Sequence, residues 1–100
     1  MKIMSKYFGH ESREAFIRSI EESEMWIYYK DSEYVFTLDG RGWNCIGQII
    51  DGRDIYEDGD AQDEYTVSGD TIEEMIAKVV FTDGVTLNEA LEMDLPRYNP

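Results

Sequence analysis

The chain has 100 residues, with 22 Asp and Glu against 9 Lys and Arg, for a formal net charge of -13. That length, 42% hydrophobic residues and 13% aromatics suit one compact domain with a single core. The charge argues against affinity for phosphate backbones, which is built on Lys and Arg clusters, and against docking on an anionic membrane face.

Ser12 to Glu24 reads as a helix capped by Ser12, with Ala15, Phe16, Ile17 and Ile20 as its apolar stripe. Glu14 and Arg18 stand in the favourable i,i+4 order on its exposed side. From Met25 the chain turns to strand chemistry. Met25–Lys30 is dense in aromatic and β-branched residues, and Asp31-Ser32 is a turn pair. Glu33–Leu38 follows with Tyr34, Phe36 and Leu38 on one face; Asp39-Gly40-Arg41-Gly42 is a second turn, and Trp43–Ile50 a third strand ended by Asp51-Gly52. Successive short connections imply an antiparallel meander.

Residues 51–64 hold seven acids (Asp51, Asp54, Glu57, Asp58, Asp60, Asp63, Glu64) and one base, Arg53. Ile55-Tyr56 suits a short strand, whereas 57–63 offers nothing apolar larger than Ala61 and reads as a solvated loop. Glu64–Ser68 restores strand alternation. Thr71 with Glu74 is a capping box opening a helix whose stripe is Ile72, Met75, Ile76, Val79 and Val80. Thr86 with Glu89 repeats the box before a shorter helix carrying Leu87, Ala90 and Leu91, finished before Pro96. The expected fold is α+β: an antiparallel meander of three to five strands with one N-terminal and two C-terminal helices.

The absence of a signal-length apolar run, and a lone Cys45 that has no internal partner for a disulfide, point to a cytoplasmic protein. No motif specifies a chemistry. The acidic segment fails the EF-hand pattern: counting from Asp54 puts Tyr65 where the bidentate Glu belongs, and counting from Asp58 puts Asp63 where Gly belongs. No carboxylate pair stands out among so many. His10 and Cys45 have the types for a base and a nucleophile, but Cys45 lies in an apolar strand and His10 just before the first helix. Gly40-Arg41-Gly42 is a hairpin turn and not a phosphate cradle. Trp26, Tyr28, Tyr29, Tyr34 and Trp43 lack the basic groove of a base-stacking surface, since the meander offers only Lys30 and Arg41. Core packing accounts for about half of these rings, and the rest suit a protein-binding patch. No cofactor and no metal are expected.

Charge distribution is the strongest pointer. Residues 1–50 hold 8 acids and 6 bases, whereas 51–100 hold 14 acids and 3 bases, so nearly all the excess lies in the second half. Solubility is one use of such a surface. The other is a basic protein partner, steered and matched by the acids. On that reading the chain is a non-enzymatic interaction protein, an inhibitor or nucleic-acid mimic comparable in size and charge to immunity proteins of nuclease toxins and phage antagonists. Its contact residues are Asp54, Tyr56, Glu57, Asp58, Asp60, Asp63, Glu64 and Tyr65. The alternative is a small accessory or ligand-binding domain. An exposed edge strand of the meander also offers a route to a homodimer.

Overall fold

A computed structural model describes residues 2–98. In chain order these form β1 (Lys2–Ser5), a single 3-10 turn (Tyr7–Gly9), α1 (Arg13–Glu22), β2 (Met25–Tyr29), β3 (Ser32–Asp39), β4 (Gly42–Ile50), β5 (Arg53–Asp54), α2 (Gly59–Glu64), β6 (Thr66–Gly69), α3 (Ile72–Lys78), α4 (Leu87–Leu91) and β7 (Leu95–Tyr98). The class is α+β as expected, with the meander at its centre.

The main sheet runs β2-β3-β4-β5, and β6 pairs with the same side of β4 further along. All pairings in it are antiparallel. Each connection in the β2–β5 run is a two-residue turn, at 30–31, 40–41 and 51–52. The Asp51-Gly52 turn has both residues at positive φ (50° and 82°), the backbone of a type I′ hairpin. Gly42, at φ 106°, also meets a neighbour: a Cβ there would lie 2.5 Å from the Gly69 carbonyl oxygen. Between the β3 partners Glu33 and Tyr34 the register shifts, and Gln48 is the unmatched residue of β4. The Gln48 carbonyl instead accepts the Ile55 N–H at 2.9 Å, which binds the chain after β5 to the bulge.

The helices cover one face of this sheet. Ser12 caps α1 as expected, its Oγ accepting the Ala15 N–H at 3.1 Å. Phe16 and Ile20 then enter a core with Met25, Ile27 and Tyr29 of β2, Tyr34 and Phe36 of β3, and Cys45 of β4. Met75 and Ile76 of α3 and Leu87, Ala90 and Leu91 of α4 complete it. At Thr86 both halves of the capping box form. At Thr71 only the hydroxyl half does: Glu74 reaches past Thr71 to the Asp70 N–H, at 3.1 Å.

Four features depart from the sequence expectation. The Thr71 helix ends at Lys78 and Val79 is already extended, so Val80, expected on its core-facing stripe, turns outward into a bridge with Thr86 and is exposed. Residues 59–64 are helical where a solvated loop was expected, because Asp58 caps the turn by accepting the Ala61 N–H at 3.1 Å and Ala61 is buried. The short strand near Ile55 occupies Arg53–Asp54 instead, leaving Ile55 free to enter the core. Finally, β1 and β7 pair antiparallel in a separate two-stranded sheet, bringing the two ends of the described chain together. No helix among the described residues is long and apolar enough to cross a membrane.

Candidate functional site

The acidic segment is an ordered projection on the side of the sheet farthest in strand order from β2. Its apolar residues hold it down. Ile55 is buried, Ala61 is buried, and Tyr65 packs half-buried against the core, its Cβ so near β4 that a Cβ on Gly47 would lie 2.8 Å from it. The backbone closes the same contact, with the Gly47 N–H donating to the Tyr65 carbonyl at 3.0 Å. The intervening acids then have nowhere to point but outward: Asp54, Glu57, Asp58, Asp60, Asp63 and Glu64 are all exposed.

Asp54, Tyr56, Glu57 and Asp58 line one shallow surface depression. Tyr56 is 60% exposed, so it is available to a partner. Its backbone N–H donates to Asp54 Oδ1 at 2.9 Å, which fixes the Asp54 carboxylate beside it. Arg53 lies in a neighbouring depression with Asp51, Glu64 and Tyr65. Seven of the eight expected contact residues are exposed, and four of them, Asp54, Tyr56, Glu57 and Asp58, share one depression. Tyr65 differs: it is an anchor of α2 against the sheet, a role its position one residue past the acids did not reveal.

The described ion pairs all lie elsewhere: Arg13–Glu73, Lys30–Asp83 and Arg41–Asp39. Lys30 Nζ, by its hydrogen bond to Asp83, pulls the Asp83 carboxyl down to about 2, helped by the Val85 N–H and the Tyr29 hydroxyl. The Arg41 guanidinium does the same for Asp39, placing it well below the usual carboxylate range. Three bases, Arg13, Lys30 and Arg41, thus pair with acids outside the segment, and none of the six exposed acids there has an ion-pair partner among the described residues.

The other candidates of the sequence take structural places. Cys45 is buried in the core, and burial pushes its thiol far up, away from the thiolate form. His10 stands edge-on to Phe16, with Nδ1 3.0 Å from the Tyr7 carbonyl oxygen. Among the described residues no group of three His, Cys, Asp or Glu side chains is placed to hold a metal ion. The aromatic residues divide by strand face: Tyr29 and Tyr34 are buried, Trp43 packs against the core, and Trp26 and Tyr28 stand exposed at 44% and 60%. The chain matches no protein-family model, no curated protein and no solved structure.

Proposed function

We propose that this chain is a non-enzymatic interaction protein whose acidic projection docks on a basic protein surface, as an inhibitor or nucleic-acid mimic would. The observation that carries the reading is the exposure of Asp54, Glu57, Asp58, Asp60, Asp63 and Glu64 on an anchored β5–α2 unit, with no ion-pair partner among the described residues. Fixed anions that are already crowded gain from a cationic partner twice, by attraction and by relief of mutual repulsion. Tyr56, exposed within this field, supplies apolar contact area at low entropic cost.

Capture from a lysate of the source organism at low and at physiological salt tests it, with bound proteins identified by mass spectrometry. The expected result is a basic, nucleic-acid-handling protein retained at low salt, weakened at higher salt, and lost with the variant Asp58→Asn/Asp60→Asn/Asp63→Asn/Glu64→Gln. Capture of the same protein by that variant, undiminished, overturns the assignment.

A further inference from the structure

On the helix side of the main sheet, α2 ends at Glu64 and α3 at Lys78. Between these two helix ends lies a cavity of about 100 Å³. Its floor is Tyr34 of β3 and Cys45 of β4, both buried. Tyr65 and Val67 wall it from the α2–β6 side, and Val67 shares the face of Cys45 because the two stand opposite in the β4–β6 ladder. Val79 and Val80 wall it from the end of α3, where the chain leaves the helix and stops covering the sheet. A dry apolar cavity of about 150 Å³ holds a benzene ring, so this smaller one suits the branched tip of a valine or leucine side chain.

The rim is charged. Glu64 and Lys78 complete the lining, and both are exposed. They carry opposite charges, yet neither forms an ion pair with the other or with any described residue. Lys78 is held aside on the edge of β6, where Nζ donates to the Ser68 carbonyl at 2.8 Å and keeps two further donors. A cavity this small keeps the residues that line it close together, so one small ligand can reach both charges.

An apolar floor under one anion and one cation calls for an aliphatic group with both charges at one end. A leucine within a protein partner supplies the aliphatic group, but its amide backbone carries neither charge, and a basic partner meets Lys78 with like charge. A free amino acid has its ammonium and carboxylate on the carbon that bears the side chain. We propose that this cavity binds a small branched α-amino acid, valine or leucine. The side chain rests over Tyr34 and Cys45, the ammonium donates to Glu64, and the carboxylate accepts from Lys78. Both rim groups face water, so the two charge-assisted bonds are screened and binding weakens as salt is added. The site shares Glu64 and Tyr65 with the acidic projection but needs no protein partner, so it goes beyond the docking function.

Titration of the full chain with L-leucine and with L-valine, followed by methyl NMR, tests the proposal. The expected result is a saturable shift of the Val67, Val79 and Val80 methyls, with those of Val35, on the opposite face of β3, unmoved. No saturable shift up to the solubility limit of leucine overturns it. Isocaproate lacks the ammonium and isoamylamine lacks the carboxylate, so each should bind about tenfold more weakly than leucine. Isoamylamine binding as well as leucine overturns the dipolar ligand. N-acetyl-leucinamide binding as well as leucine shows that the cavity takes the side chain of a peptide, and overturns the free amino acid. Val67→Phe fills the cavity and should abolish binding. Should that variant fail to fold, Glu64→Gln/Lys78→Met replaces it, since both positions are exposed and the pair removes both rim charges. Undiminished leucine binding by either folded variant overturns the site.

Discussion

Tyr29 donates its hydroxyl to Asp83 Oδ2 at 2.8 Å, and the neighbouring Lys30 donates to the same oxygen at 2.6 Å. The Tyr29 ring meanwhile stacks on Phe81, with centroids 4.1 Å and planes 9° apart. Two segments 54 residues apart in sequence, the β2–β3 turn and the connection between α3 and α4, are thereby fastened at one carboxylate. Burial raises the Tyr29 pKa, and its hydrogen bond to Asp83 adds to the rise, so the phenol remains a donor at neutral pH.

This arrangement makes a pH prediction. The folded-state pKa of Asp83 is depressed to about 2, below an unfolded value of about 4. The stabilisation is therefore complete above the unfolded value and is lost as pH falls toward the folded one. Thermal midpoints of the wild type and Asp83→Asn, followed from neutral pH down to about pH 2, should differ most at neutral pH and converge in acid. A constant gap across the range would mean that Asp83 acts through its shape and not its charge. The group is exposed, so added salt should narrow the neutral-pH gap.

Gly69 is fixed by packing. A Cβ there would lie 2.6 Å from the backbone nitrogen of Met75 and 2.9 Å from Glu74 Cβ, where α3 crosses the end of β6. Backbone on a capped helix has little room to retreat. Gly69→Ala should cost about 1–3 kcal/mol in urea unfolding, the usual cost of overpacking. Gly40→Ala is the comparison, since nothing lies within 4 Å of its added Cβ, and it should stay within about 0.5 kcal/mol of wild type.

Asp58 has two separable roles, as helix cap and as surface anion. Asp58→Ala removes the acceptor for the Ala61 N–H and should cost about 1 kcal/mol. Asp58→Asn keeps an equally good cap and discards only the charge. If the acidic projection binds a basic partner, Asp58→Asn should weaken capture while leaving the thermal midpoint nearly unchanged. Asp63→Asn/Glu64→Gln relieves negative charge at the C-terminal end of α2, where the helix dipole is also negative, and should raise the midpoint slightly.

What the sequence made legible follows from how local each signal is. Ser12, Thr71 and Thr86 announce helix starts within four residues of themselves, and all three hydroxyls accept the expected N–H. The meander was readable because Asp31, Gly40 and Asp51-Gly52 punctuate it at hairpin spacing. The pairing of β1 with β7 had no local sign, since each strand is four residues long and their partners are at opposite ends of the chain. Asn44 was equally hidden. It is fully buried in β4, where its Oδ1 accepts from Ser68 at 2.6 Å and its Nδ2 donates to the Gly42 carbonyl at 3.3 Å, a contact set that only the fold assembles. Within the candidate site, composition found the acids, but the anchoring role of Tyr65 depends on the space left by Gly47 on the neighbouring strand.

Phe16 is where α1 is joined to the rest of the core. It is fully buried, with Phe36 edge-on at 5.8 Å, Phe8 at 5.7 Å and the His10 ring edge-on at 5.6 Å. Aromatic contacts of this geometry add to the area the ring removes from water. Phe16→Ala should therefore cost about 3–5 kcal/mol, a large share of the 5–15 kcal/mol typical of a whole domain. Phe16→Leu keeps most of the volume but forfeits the edge contacts, and it should lose distinctly less. Urea midpoints with unchanged slopes would locate both losses in the folded core. Equal losses for Ala and Leu would instead show that the ring contacts themselves, and not the filled volume, hold α1 in place.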